Sequence, residues 1–97
     1  MKIRYTRPAL ADLDSILDYI AQREPQGARR VQGRISEFIN LLSSHPLMGT
    51  RTDDASVRRL AIVPYSYLVF YGVTPDAIII HAVRHMARNP SSMPGSA

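Results

Sequence analysis

With 97 residues, 45% of them hydrophobic and 21% charged, the chain is sized for one domain and carries enough apolar side chains to offset the entropy of ordering, which excludes both a two-domain and a disordered reading. It has no cysteine, which removes disulfides, thiolate nucleophiles and thiolate metal sites. No run approaches the ~18 apolar residues of a membrane helix and no long apolar stretch follows the opening charges, so a cytoplasmic protein without a membrane span or secretory leader is expected. The net charge of +4 comes from 12 basic and 8 acidic residues, and eleven of the bases are arginine, whose planar fork suits carboxylates and phosphates; the same charge also serves to keep a small domain soluble.

Residues 2–6 alternate in strand formers and predict a short opening strand. Pro8 then marks a helix start, with Thr6 or Arg7 ahead of it. Leu10, Leu13, Leu17 and Ile20, joined by Ile16 and Ala21, recur at helical spacing, while Asp12, Asp14 and Asp18 take the other side. This helix stops at Pro25-Gln26-Gly27. A second apolar stripe runs through Ala28, Val31, Ile35, Phe38, Ile39 and Leu42, so two helices joined by a short connection form an αα-hairpin. Residues 43–46 end it, and the polar stretch 49–56 is expected to be a loop. Three strands follow, over residues 57–63, 65 or 66–73 and 77–84, with Pro64 in one connection and Thr74-Pro75-Asp76 turning the other. The order β-α-α-β-β-β gives an α+β domain over residues 1–88, a helical hairpin packed on one face of an antiparallel sheet, with residues 89–97 as a tail.

The bases of the second half fall at strand edges and ends: Arg51 in the loop, Arg58 and Arg59 on one strand, and Arg84, His85 and Arg88 where the last strand runs out. Such a cluster binds phosphates or an acidic helix, or serves only as edge charge against strand pairing. His81 and His85 share the alternation of Ile79 and Val83, without the acidic neighbours or spacing of a metal site, so no metal and no cofactor is expected. As a general acid or base His85 is the better placed, at a strand terminus; His81 reads as a core or edge histidine. No nucleophile elbow and no glycine-rich phosphate loop is present. Tyr65, Tyr67 and Tyr71 read either as base-stacking rings or as amphipathic residues at the edge of the core.

Four segments, in order, resemble one family. Residues 10–21, with Asp12-Leu13, Ile16 and Tyr19-Ile20, resemble the "A-x-x-D-L-x-x-I-x-x-Y-I" first helix of ParE/RelE-superfamily toxins of type II toxin–antitoxin modules. His45-Pro46-Leu47-Met48-Gly49 is similar to their "hP-x-x-G" loop. Arg58 and Leu60, followed by Tyr67, Val69, Tyr71 and Val73, resemble "R-x-L … Y-x-I-x-Y-x-V", and residues 85–90 resemble the closing "H-x-A-R-D-P". Gly72 departs from the family by standing where an arginine is frequent, and Asn89 by replacing Asp. The resemblance implies the β-α-α-β-β-β fold and the toxin of a plasmid-stabilisation module, forming a hetero-oligomer with a ParD-like antitoxin from the same operon.

Within that superfamily the ParE branch is associated with inhibition of DNA gyrase and the RelE branch with ribosome-dependent mRNA cleavage. RNA cleavage needs proton donors and acceptors beside cations for the developing phosphate charge, and arginine is a poor proton acceptor. Lys2 is the only lysine and no tyrosine follows Tyr71, so the reading favours a ParE-like gyrase inhibitor with no catalytic residue. The alternatives are a RelE-like endoribonuclease in which His85 is catalytic and an inactive homologue that retains antitoxin binding. Arg58, Arg59, Arg84, His85 and Arg88 are the candidates for contacting the target or phosphates. In the family's strand Tyr67, Val69, Tyr71 and Val73 face the helices, which leaves Leu68, Phe70 and Gly72 on the opposite face. An exposed Leu68 and Phe70, with Arg51 and Arg59, are therefore the candidates for antitoxin binding.

Overall fold

The computed structural model describes residues 1–86. The elements are β1 (Lys2–Tyr5), α1 (Arg7–Ala21), α2 (Pro25–Leu42), β2 (Thr50–Arg51), β3 (Arg58–Ala61), β4 (Tyr67–Val73) and β5 (Ala77–His85). Thr6 caps α1, its hydroxyl accepting from the Ala9 N–H at 3.2 Å, with Pro8 in the first turn where its missing donor costs nothing. Pro25 both ends the connection and opens α2. The strands form one sheet in the order β1-β5-β4-β3-β2.

Ile35, Ile39 and Leu42 of α2 and Ala9 of α1 pack on Leu60, Val69, Tyr71, Ile78, Ile80 and Val83, with Leu13, Ile16, Leu17 and Ile20 half-buried around them. This is the main core, and it lies between the helices and one sheet face. The fold class stands as expected, with three corrections. The sheet is not wholly antiparallel: β1 runs parallel to β5, Lys2 opposite Ala77 and Tyr5 opposite Ile80, the two being joined by a long connection made of the helical hairpin and β2 to β4 rather than by a tight turn. Within the stretch 49–56, Thr50 and Arg51 pair with Arg59 and Arg58 as an edge strand too short to show a period. Finally, β5 carries a bulge. Phe70 lies opposite Ala82 but Tyr71 lies opposite Ile80, so His81 is the extra residue and the alternation reverses across it. His81 and His85 therefore do not share a face as expected. The His81 carbonyl at the bulge accepts from the Thr6 hydroxyl at 3.2 Å.

β1 ends at Tyr5, so the outer edge of β5 beyond Ile80 has no strand beside it. Asp12 of α1 fills that place. Its Oδ2 accepts from the Val83 N–H at 3.0 Å and pairs with the Arg84 guanidinium. No helix among the described residues is long and apolar enough to cross a membrane. The expected tail, residues 89–97, lies outside the described residues.

Candidate functional site

Gly49 N–H donates to the Tyr71 hydroxyl at 2.9 Å, and that hydroxyl donates to the Pro46 carbonyl at 2.8 Å. Tyr71 is fully buried. Burial pushes its phenol pKa above the ordinary value, and the Gly49 bond and the Arg58 charge oppose that shift. From the next strand Arg58 Nη1 donates to the Gly49 carbonyl at 2.8 Å and to the Leu47 carbonyl at 3.3 Å. A Cβ on residue 49 would lie 2.6 Å from the Tyr71 hydroxyl and 2.9 Å from the Arg59 carbonyl, so only glycine fits. Two of the four segments that carry the family resemblance thus meet in one place, where β3 and β4 hold the loop over residues 45–49 in a fixed shape. The apolar side chains of that loop point outward: Leu47 is 64% and Met48 42% exposed. With His45 and Pro46 they line a shallow, largely apolar depression.

The basic candidates separate. Arg51 and Arg58 are direct cross-strand partners, and Arg59 lies opposite Thr50 on one side and Phe70 on the other. Arg51 and Arg59 are exposed and Arg58 is half-buried against the loop carbonyls. The structure draws Arg84 away from this group into its pair with Asp12, half-buried on both sides. Arg88 lies outside the described residues. The ion pairs among the described residues are Arg30–Glu24, Arg34–Glu37 and Arg84–Asp12.

His85 stands on the helix side of the sheet, its ring edge-on to Tyr67 with centroids 5.3 Å apart. The two line a cleft of about 310 Å³ with Ser15, Ile16 and Tyr19 of α1. Sequence reading did not offer Ser15 or Tyr19 as site residues; the signal was the tyrosine of the first-helix motif, which marks the end of α1 that reaches this cleft. Arg23 caps the Tyr19 ring at 4.1 Å in a cation–π contact. His81 is on the opposite face. A Cβ at Gly72 would sit 2.9 Å from its Nε2 and 3.0 Å from the Ser56 carbonyl, so a side chain at the position where an arginine is frequent would crowd what packs over it. Beside it, the Ser56 hydroxyl and N–H donate to Asp54 Oδ1 at 2.6 and 2.9 Å and hold that carboxyl below its usual pKa. Among the described residues no three His, Asp or Glu side chains are grouped so as to hold a metal.

Tyr67, Val69 and Tyr71 do pack toward the helices, and Leu68 and Phe70 do face away from them. Their expected exposure is corrected. Leu68 is 7% and Phe70 1% exposed, forming a second small cluster with Val57, Ala82 and Ala61. The approach to β3, bringing in Val57, folds across this face and covers it. Among the apolar side chains that the chain does expose are Leu47 and Met48, which sequence reading passed over because a loop has no period to reveal which side chains point out.

Comparison with known proteins places these features in context. The family described as "ParE toxin of type II toxin-antitoxin system, parDE" matches residues 3–90. Toxin RelE2 of Caulobacter vibrioides is 37% identical over 87 residues, 90% of this chain and 97% of that protein. Putative toxin Y4kP of Sinorhizobium fredii is 33% identical over 79 residues, 81% of this chain and 82% of that one. Among solved structures, a chain of the chromosomal ParDE toxin–antitoxin system from P. aeruginosa superposes with a TM-score of 0.77 at 25% identity, covering 88% of this chain and 95% of that one. YafQ from E. coli shares the fold, with a TM-score of 0.59 at 15% identity over 89% of this chain and 93% of its own.

Proposed function

Because this chain belongs to the ParE toxin family of type II toxin–antitoxin systems, we propose that it is neutralised by a cognate antitoxin encoded beside it and acts in the cytoplasm by inhibiting DNA gyrase rather than by cutting RNA. One observation supports the second half of this reading: Arg84, the guanidinium next to His85 in the chain, is already paired with Asp12. Cleavage by attack of a 2′-hydroxyl builds charge on the phosphate, which a nuclease must meet with cations placed beside its proton donor. Here two of the basic candidates are already engaged, Arg84 with Asp12 and Arg58 with the loop over residues 45–49. The antitoxin reading draws on the P. aeruginosa structure, which is of a ParDE system.

The runner-up, an mRNA endoribonuclease, has its own support in the cleft, where His85 meets two phenols, and in the name of the Caulobacter relative. Purified chain assayed for gyrase supercoiling and for mRNA cleavage on ribosomes, each with the His85→Ala variant, separates the two. Expected is loss of supercoiling that His85→Ala leaves nearly unchanged. Cleavage that falls ~10²–10⁴-fold in His85→Ala, the usual cost of losing a general acid or base, would replace this reading with the nuclease. Inactivity in both assays would make the chain a homologue kept for antitoxin binding.

A further inference from the structure

Arg51 and Arg58 sit directly opposite one another on β2 and β3, with Arg59 next along the strand. Like charges at directly opposed positions repel, the side chains starting about 5 Å apart. None of the three takes part in an ion pair with a described carboxylate. The acids nearest in sequence do not relieve them: Asp53 forms no ion pair and Asp54 Oδ1 is occupied by Ser56. Three cations, Arg51 and Arg58 on one face and Arg59 on the other, are therefore gathered at one sheet edge without a counter-charge among the described residues. The same edge carries two other features of a recognition surface. β2 is the outermost strand, so its far side has no strand beside it. The adjoining loop presents Leu47 and Met48 to solvent in a shape fixed beforehand by Tyr71 and Arg58.

We propose that this edge is where the chain takes up a carboxylate-bearing, amphipathic segment of its cognate antitoxin, lying along β2 so that alternate acidic side chains reach Arg51 on one sheet face and Arg59 on the other, with an apolar one against Leu47 and Met48; the assignment rests on the toxin–antitoxin reading above. A rigid apolar knob beside cations fits a peptide better than a phosphate backbone, which would leave Leu47 and Met48 uncovered. Because the loop is held before binding, little ordering entropy is lost when a partner meets it. Arg58 is half-buried and its Nη1 is already bonded to the loop carbonyls, so its part is to add positive potential and keep Leu47 in place.

The test is titration of the full chain with the antitoxin from the adjacent reading frame, by calorimetry, at two salt concentrations. Arg51→Glu/Arg59→Glu and Leu47→Ser/Met48→Ser alter exposed side chains, so both variants keep the wild-type melting temperature. Each is expected to weaken binding at least tenfold, the first with a flatter salt dependence, whereas the control Arg29→Glu on the exposed face of α2 leaves Kd unchanged. Binding by wild type that neither double variant weakens would overturn this surface and leave the toxin–antitoxin reading standing. A wild-type chain that does not bind the antitoxin at all would overturn both. Arg51→Glu/Arg59→Glu lowering affinity for a mixed-sequence RNA oligonucleotide while antitoxin affinity stays at the wild-type value would assign the edge to nucleic acid instead.

Discussion

Removing one oxygen atom in Tyr71→Phe leaves the Gly49 N–H without its acceptor and the Pro46 carbonyl without its donor, on a ring that is fully buried. A cost of about 1–3 kcal/mol is expected, read as a lower midpoint in urea unfolding at unchanged m. The same substitution alters the alkaline limb of stability. In the folded chain the buried phenol holds its proton more tightly than the ordinary value of 10.0. As pH rises the unfolded chain therefore releases that proton first, so stability is full below about pH 10 and is lost as pH climbs through the folded-state value. Tyr71→Phe should show a shallower loss, the remainder coming from Tyr5, whose phenol burial also raises. Gly49→Ala probes the other side of the contact. Its methyl would meet the Tyr71 ring and hydroxyl and the Arg59 carbonyl, and because one of these is backbone, about 1–3 kcal/mol of overpacking cost is expected in the same measurement. Arg58, Tyr71, Pro46 and Gly49 all stand in segments that carry the family resemblance, yet their meeting was not legible in the sequence: a loop, a strand and a second strand are joined only by register and by one hydroxyl.

At the scale of elements, Asp12 does for β5 what β1 does further back along the same edge. Asp12→Ala removes the acceptor of the Val83 N–H and the counter-charge of Arg84 together, and about 1–3 kcal/mol of stability should go with it. Amide exchange gives the more specific reading: the Val83 N–H loses protection while the Thr6 N–H, bonded to the Ile80 carbonyl, keeps its own. Both helices were legible because apolar residues at helical spacing leave few alternatives and Pro8 marks the first start, whereas Pro25, read as a stop, in fact opens α2. β4 was legible in its orientation, Tyr67, Val69 and Tyr71 toward the helices, but not in its exposure, since burial of Leu68 and Phe70 depends on a loop folding over them. β2 was too short to read, and the bulge at His81 was invisible because an alternation rule carries straight through an inserted residue. The histidine faces went wrong for that reason alone.

For the whole molecule, the separation of its basic groups matters more than their number. Arg51, Arg58 and Arg59 gather at the β2 edge, whereas His85 lies with tyrosines on the helix side of the sheet. Expression without antitoxin should accordingly give elongated cells with an induced DNA-damage response before any fall in protein synthesis, as followed by microscopy and labelled amino-acid incorporation. Translation stopping first would favour the nuclease.

The parallel pairing of β1 with β5 also sets a timetable. Thr6 reaches the His81 carbonyl across 75 positions, and Asp12 reaches Val83 across 71. On a ribosome the first strand emerges long before β5, its neighbour in the sheet, has been made, and at ~5–20 residues per second it waits seconds with its edges open. Helices α1 and α2 can form meanwhile, but the half-buried leucines and isoleucines of α1 have no floor until β5 arrives. Folding of such a chain is slowed by its non-local pairing and completes only as translation of the sheet ends. The sheet is thereby whole only when synthesis of the chain is nearly complete, and any partner that recognises the folded surface meets it no earlier.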